Sequence, residues 1–451
     1  MLFSRRFFST IFALSSGSPP SAIAVIRISG DRSESTLRVL TRSKRPFDDR
    51  RLFYTPIFGD DGLLLDKGMA CLMKGPRTFT GEDSAELYLH GSRAVIQAVC
   101  ETLAKISGLE SAKAGEFTRR AFFNGKLDVA QMEALADLLG AETPAQLRLC
   151  HAQAKVGAYL SENFTRRIDF AEDIGDEEQS LAEEFSAEIR GIGQQLRRFL
   201  RSAKRGQLIR SGLKVALVGR PNVGKSSLMN RLAERELAIV SNISGTTRDC
   251  LETRIQLNGQ LVNVVDTAGI REGSEDPLER EGIRRTLQRA SEADLVLLVM
   301  DSGDLFGSES DRSLVNSLLA EFAFDSASQR LIVVVNKSDL VKDRTERLHL
   351  ERTLKRNERF LLAWTSCVRE DEDGVGSEGC EVFLSRERHV QCLERALTHL
   401  EETEAALAEW DDPAMAALTL RLCLDAVGEI AGRVVHEQVL DSIFSQFCIG
   451  K

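Results

Sequence analysis

No run of eighteen or more apolar residues occurs in the chain, so the sequence offers no helix able to span a membrane. Nor does it contain a Cys-x-x-Cys pair. Cys71, Cys100, Cys150, Cys250, Cys367, Cys380, Cys392, Cys423 and Cys448 stand singly, which argues against a zinc knuckle or disulfide frame and for a reducing compartment. Positive charge is also in deficit: 59 lysines and arginines face 68 acids, a formal charge of −9. That balance argues against a generally basic, nucleic-acid-coating surface, so any RNA contact has to be local or supplied by a partner. The first thirty residues lack acids instead. Met1-Leu-Phe-Ser-Arg-Arg-Phe-Phe-Ser-Thr10 combines Arg5 and Arg6 with hydroxyls and bulky apolar groups, the composition of an organelle transit peptide, and residues 1–10 are expected to direct import into mitochondria.

What the chain does hold is ordinary soluble composition, 43% hydrophobic and 28% charged over 451 residues, enough for about two to four domains. One stretch organises it. Gly219-Arg-Pro-Asn-Val-Gly-Lys-Ser226 fits the phosphate-loop pattern and follows the strand-like run Leu213 to Val218. The glycines let successive backbone N–H groups turn inward around phosphates, with Asn222, Val223, Gly224 and Ser227 in the same cradle. Lys225 can reach the β and γ oxygens, Ser226 can ligate Mg²⁺, and the helix that starts there adds its positive dipole end.

Three further motifs follow in order. Asp266-Thr267-Ala268-Gly269 ends the strand-like run Leu261 to Val265, where a carboxylate can reach the Mg²⁺ shell and a glycine amide can sense the γ-phosphate. Ser244-Gly-Thr-Thr-Arg-Asp249 lies where a switch loop belongs if Thr247 is to complete the metal shell. Asn336-Lys337-Ser-Asp339 follows Leu331 to Val335; its carboxylate can accept from the N1–H and 2-amino group of guanine, donors that adenine lacks. A last guanine-contacting loop is expected at Thr365-Ser366-Cys367 after Phe360 to Trp364. The four motifs specify GTP.

Around this segment the patterning changes. Residues 11–127 read as an α+β domain, with strands at Ala22 to Ile28 and Ala85 to His90 and a helix from Ala94 to Ile106. Arg27, Glu86 and Lys126 within it read, on their chemistry alone, as surface or salt-bridged residues. Residues 128–212 carry few glycines and apolar side chains at helical spacing (Val129, Met132, Leu135, Leu138), with the acidic cluster Asp173 to Glu178 as a solvated interruption. Residues 213–380 alternate strands and helices and imply a mostly parallel sheet covered on both faces. In 381–451 helical spacing returns from Val390 to Trp410 and from Leu418 to Val434, with Pro413 as a break. If the helices on either side pack together, the GTP-binding segment is an insertion whose ends lie close.

With Ala114-Gly-Glu-Phe-Thr-Arg-Arg-Ala-Phe-Phe-Asn-Gly-Lys-Leu-Asp128 and the final Phe447-Cys-Ile-Gly-Lys451 added to the GTPase motifs, the chain resembles the MnmE (TrmE) family of tRNA-modification GTPases from Thr10 onward. The opening Thr10 to Gly17 is similar to mitochondrial members. The resemblance implies an N-terminal folate-binding domain that forms a homodimer, a discontinuous helical domain, and an inserted Ras-like P-loop G domain. It also implies a flavoprotein partner of the MnmG type, FAD being on that partner only, and an aminomethyl-type substituent placed on C5 of the tRNA wobble uridine from a tetrahydrofolate one-carbon unit.

Ile270 stands where Ras-like proteins carry a water-orienting glutamine, so other groups must assist hydrolysis. By resemblance, Glu279 orients the attacking water with Arg271 nearby, and Asn222 with Ser241, Ile243 and Thr246 holds a K⁺ ion that does the electrostatic work of an arginine finger. Cys448 matches the family cysteine, as nucleophile or as lining. Arg27, Glu86 and Lys126 fall in folate-domain motifs, with the contacting residue left open. Ser18-Pro-Pro-Ser21 and His90-Gly-Ser92 depart from the family's glycine-rich forms, and Cys367 replaces its alanine. Two other functions compete: an Era-like ribosome-assembly GTPase, which needs a basic RNA-binding domain after the G domain, and a folate-dependent methyltransferase merely regulated by GTP.

Overall fold

The computed structural model describes residues 9–156, 179–220, 222–235, 252–266, 292–305, 330–340, 361–366, 385–408, 413–432 and 437–451. The chain forms two compact units. The first comprises Met1–Gly140, Cys150–Leu200 and Arg388–Lys451; the second, Ala141–Leu149 and Arg201–Glu387, is inserted into it along the sequence. The protein is thus an α+β and α/β multidomain chain.

In the first unit, β1 (Thr10–Leu14), β2 (Ser21–Ser29), β3 (Phe53–Phe58), β4 (Leu64–Met73), β5 (Ser84–Gly91) and β6 (Leu109–Ser111) make one sheet in the order β3-β4-β5-β2-β1-β6. Only the β1–β6 pair is parallel. Period-two alternation decides which face is dry. Ala24, Ile26 and Ile28 of β2 are fully buried with Leu72, Leu87 and Ile57 beneath α1 (Ser33–Thr41) and α2 (Arg93–Lys105), while Val25 and Arg27 point to the other face. Each such Ile or Leu contributes about 1.5–3 kcal/mol on burial. Ser92, which departs from the family's glycine, caps α2 by accepting from the Val95 N–H at 3.1 Å.

Thr10, counted with the import segment in the sequence, is 2% exposed and is the first residue of β1; its hydroxyl accepts from the Arg32 N–H.

α3 (Glu116–Phe123) covers part of the sheet's second face, where its Phe117 packs with Ile11 and Ala13 of β1. Asp128 and Gln131 form a reciprocal capping box at the start of α4 (Val129–Leu139). Phe122 from α3, Val129 and Met132 from α4, and Ile443 and Phe444 from the last helix (Glu437–Ser445) share one core with Phe447. A further helix covers 144–156, and α6 runs from Gln179 to Ser211; along the sequence each passes from one unit to the other. The long helices after the insertion, Glu387–Ala408 and Pro413–Ala431, are separated near Pro413 as expected, but the proline opens the second helix. There its missing N–H costs nothing and its fixed φ favours the first turn.

Glu133 stitches the segments before and after the insertion. Its carboxylate accepts from Arg388 Nη2 at 2.8 Å and lies 2.7 Å from His389 Nε2, and Arg388 Nη1 also donates to the Glu429 carbonyl. Burial opposes the charge on Glu133, but the His389 and Arg388 hydrogen bonds outweigh it and hold the carboxyl down at about 2. A carboxyl depressed from 4.5 stabilises the fold above that value and loses the contribution as pH falls toward 2. Glu133→Gln should therefore destabilise the first unit by about 3–5 kcal/mol at pH 7, since Arg388 and His389 lose their partner. In urea melts the gap from wild type should narrow below pH 4.5; a gap independent of pH would refute the ionic account.

In the second unit, β7 (Leu213–Val218), β8 (Glu252–Leu257), β9 (Gln260–Asp266), β10 (Leu295–Asp301), β11 (Arg330–Asn336) and β12 (Leu361–Trp364) form a sheet in the order β12-β11-β10-β7-β9-β8. All pairs are parallel except β8–β9. Those two join through Asn258-Gly259, both at positive φ, a hairpin turn signal that the motif reading passed over. The apolar strands pack with Val223, Leu228 and Met229, the last two from α7 (Lys225–Arg235).

Candidate functional site

Two sites are built, one in each unit. In the second, β7 delivers the chain to Gly219, where a side chain is impossible: a Cβ would lie 2.2 Å from the Val299 carbonyl. The loop then turns through Asn222 (φ 64) and Gly224 (φ 97) into α7, whose first residues are Lys225, Ser226 and Ser227. Lys225 is buried, and its ammonium donates to the carbonyls of Gly219 at 2.6 Å and Arg220 at 2.8 Å, fixing a positive charge inside the loop. Ser226 is exposed in the first helical turn.

The base-reading motif braces this loop. Asn336 donates through Nδ2 to the Val223 carbonyl at 2.9 Å, and a Cβ on Gly224 would meet that same nitrogen at 2.2 Å. Lys337, at φ 59, reaches the Asn222 carbonyl (3.2 Å) and Asp301 (2.6 Å). Asp301, at the end of β10, was not singled out from the sequence. Burial works against its charge, yet the Lys337 hydrogen bond and the Gly303 N–H hold its carboxyl below the usual range. Ser366 Oγ donates to Asp339 at 2.6 Å and Thr365 Oγ1 to Asn336 Oδ1, so the last two loops meet at the ends of β11 and β12.

Asp266 ends β9, parallel to β7. Ser241, Ile243, Thr246, Thr247, Thr267, Ala268, Gly269, Arg271 and Glu279 lie outside the described residues.

The first unit gathers a different set on the face opposite its core. Arg27 and Glu86 are register partners on β2 and β5 and form a 3.1 Å ion pair. Tyr88 donates to the other Glu86 oxygen at 2.6 Å; that hydrogen bond, burial and the carboxylate's charge push the phenol up to about 12. The Arg27 guanidinium lies 5.6 Å from the Phe79 ring centroid and 5.7 Å from that of Phe117. Its Nη1 is buried without a hydrogen-bond partner among the described residues.

The chain's last residues reach this face. Ile449 bridges to Ala114, and Ser15 Oγ donates to the Gly450 carbonyl at 2.9 Å. Burial and the charge of Arg27 push the Lys451 amine below the usual lysine range, against an opposing effect of Glu86. Cys448 in the same turn is exposed. Lys126 is placed elsewhere in the unit: its ammonium donates to the Pro76 carbonyl, on the loop that also carries Phe79.

That loop is held from below by Arg120, fully buried, which donates to Glu82, Glu116 and the Ser9 carbonyl. Ser29 donates to Glu82, and Asn124 to the Thr80 carbonyl. Arg120 gave no signal as a pocket-forming residue, because Glu82 and the Ser9 carbonyl are remote from it in sequence. Orphaned Arg27 Nη1 beside two aromatic rings suits a planar group that carries a hydrogen-bond acceptor.

Two family models match, the GTP-binding protein TrmE N-terminus over residues 10–126 and the MnmE helical domain over 129–448. The chain belongs to the MnmE (TrmE) family of tRNA-modification GTPases. A "tRNA modification GTPase MnmE" from Granulibacter bethesdensis is 39% identical over 98% of this chain and 99% of its own length. The mitochondrial "5-taurinomethyluridine-[tRNA] synthase subunit GTPB3" of rat and of human is likewise 39% identical, over 98% of this chain and 93% of those proteins. The family thus reads the Gly219–Ser226 loop as the core of a GTPase.

Asp339 is the acceptor on which base choice should turn. Asp339→Asn should weaken GTP binding about 100-fold or more, because a carboxamide opposes one guanine donor with its own N–H. Xanthosine triphosphate, with a carbonyl in place of the 2-amino group, should gain relative to GTP. Competition against a fluorescent nucleotide reads both; a uniform loss for the two bases would show that Asp339 only braces Ser366.

Proposed function

We propose that the protein is the GTP-hydrolysing subunit of a complex that places an aminomethyl-type group on C5 of uridine 34 of certain tRNAs, drawing the one-carbon unit from a tetrahydrofolate. The observation that carries this reading is the Arg27–Glu86 pair with its orphaned Arg27 Nη1, beside Phe79 and Phe117, in a chain with full-length MnmE relatives. In this reading residues 11–127 are the folate-binding and dimerisation domain, 128–212 and 381–451 the helical domain, and 213–380 the G domain. Residues 1–10 are an import segment for the mitochondrial matrix, a role supported by their composition and by the mitochondrial relatives. Because Thr10 is built into β1, removal would end before it.

At the nucleotide, Lys225 neutralises charge on the β and γ oxygens, with Asn222, Val223, Gly224, Ser227 and the Asp266 to Gly269 turn around them. Ser226 and Thr247 would hold Mg²⁺, which offsets the developing phosphate charge. Asn336, Lys337, Asp339 and Ser366 hold the base. Glu279 orients the attacking water and Arg271 supports that switch. Asn222, with Ser241, Ile243 and Thr246, would hold K⁺, and two G domains would meet face to face there. At the folate, Arg27 offers Nη1 to an acceptor, Glu86 and Lys451 set the charge beside it, Lys126 borders the loop, and Cys448 stands at the mouth as nucleophile or lining. The flavin belongs to an MnmG-type flavoprotein partner, and the chain acts as a homodimer. Family membership weighs against the Era-like alternative.

The test is nucleoside analysis of tRNA. Cells lacking the protein should lose the C5 substituent of uridine 34, and Arg27→Ala should fail to restore it while retaining GTP hydrolysis; unchanged nucleosides in the null cells would end this reading. Replacing Asn222 by Ala should abolish the stimulation of hydrolysis by potassium over sodium, seen in a phosphate-release assay. An unaltered potassium-to-sodium ratio would reject the ion role.

A further inference from the structure

The chain is acidic overall, yet no acid occurs between Glu188 and Glu234. Within that gap α6 carries Arg190, Arg197, Arg198, Arg201, Lys204 and Arg205 upstream of its last turn, where Arg210 stands on the opposite side. At roughly 100° per residue these six fall within an arc of about 120°, one stripe down the helix. The opposite arc is dry: Ile189 is 1%, Ile192 3%, Leu196 0% and Ala203 2% exposed. All six cations but Arg197 are exposed, and Arg197 pairs with Glu401 at 2.8 Å. No ion pair engages the other five among the described residues.

From Arg190 to Arg205 the stripe is about 22 Å long. Helix-dipole complementation does not account for it, because that effect fades within the last turn, whereas the cations begin nearly six turns before Ser211 by the roughly 3.6-residue repeat. Five of the six are arginines, whose planar forks match phosphate oxygens two at a time. The helix exposes no large apolar side chain among its described residues, so it lacks the greasy flank with which a membrane-surface helix inserts.

We propose that this stripe of α6 is where the protein meets the phosphate backbone of its tRNA. The inference rests on the reading that tRNA is the partner and adds the surface that holds it. The contact positions rather than reads sequence: residues spaced three and four apart have Cβ atoms about 5–6 Å from one another, so long flexible cations rooted there can follow successive phosphates. It also reconciles a net charge of −9 with an RNA partner, since repulsion elsewhere leaves one strip on which the backbone is attracted.

The test uses the full-length protein and a fluorescently labelled tRNA transcript, with anisotropy followed from about 50 to 300 mM KCl. The triple variant Arg198→Gln, Arg201→Gln, Arg205→Gln should bind at least 10-fold more weakly at 100 mM salt, and the slope of log K against log salt should shrink by about 2–3, as losing three phosphate contacts requires. The triple lysine variant should recover affinity to within about threefold, a rescue that a packing role would not give. Thermal melting and tRNA-free GTP hydrolysis should match wild type. If the triple glutamine variant fails to fold, Arg201→Gln alone should still lower the slope by about 0.7–0.9.

Equal affinity and slope in wild type and variants would overturn the proposal. So would binding to phosphatidylserine vesicles that the variants lose while tRNA binding persists, which would assign the stripe to a membrane. Absence of any tRNA binding by the wild-type chain at 50 mM salt would overturn both the surface and its premise for this subunit. Intact wild-type binding with unaffected variants would overturn the surface alone.

Discussion

The first unit depends on one contact between parts of the chain that are 435 positions apart, the hydrogen bond from Ser15 to the Gly450 carbonyl. Only glycine can stand at 450, where φ is +99 and a Cβ would lie 2.2 Å from the Leu14 carbonyl. The tail is carried there by packing. Phe444 and Phe447 join Phe122, Val129 and Met132, while Gly115, itself at positive φ, lets the Phe444 backbone approach. Lys451 therefore arrives beside Arg27 because a helical core formed by residues before and after the insertion delivers it. The sheet alone supplies Arg27, Glu86 and Tyr88; the second cation comes from the other end of the described chain.

Buried charge elsewhere in that unit fixes geometry rather than adding net stability. Taking an ion pair out of water costs several kcal/mol per ion, which close partners largely return. Arg120 and Glu133 are both of this kind, each satisfied by more than one partner. Arg120 sets the height of the Thr80–Glu82 loop above the sheet, and through it the position of Phe79 relative to Arg27. Glu133 sets the register of a helix that begins 254 residues after it, and a sliding apolar interface would not define that register as sharply.

The phosphate loop, its preceding strand and the base-reading strand were legible because each lies in a short segment whose apolar run and motif residues are adjacent. So were β2, β5 and α2, from alternation and helical spacing. The edge strand β3 and its neighbour β4 were not: Phe53–Phe58 includes Pro56, and Leu64–Met73 mixes Asp66, Lys67 and Gly68 into its pattern, as befits strands buried on one side only. Arg27 and Glu86 were legible as residues of interest and not as a pair, since their register is a property of the folded sheet. Read by chemistry alone they were salt-bridged surface groups, and a salt bridge is what they form, though half-buried under two aromatic rings. Lys126, grouped with them by motif, is instead tied to the Pro76 carbonyl on the adjoining loop.

In the nucleotide site the same side chains serve structure and recognition, which constrains how changes there can act. Asn336 holds the Val223 carbonyl and Lys337 the Asn222 carbonyl, so the loop that grips phosphates and the loop that reads the base move as one piece. The Lys337 ammonium is itself positioned by Asp301, whose carboxyl that hydrogen bond and the Gly303 N–H hold below the usual range against the effect of burial. A loss at Asp301 would therefore pass through Lys337 to Asn222, the residue at φ 64 that is proposed above to hold K⁺. Coupling of that sort makes substitutions among these residues non-additive. It also gives Asn336 and Lys337 a role besides any contact with the base: they hold the backbone of the phosphate loop at Val223 and Asn222.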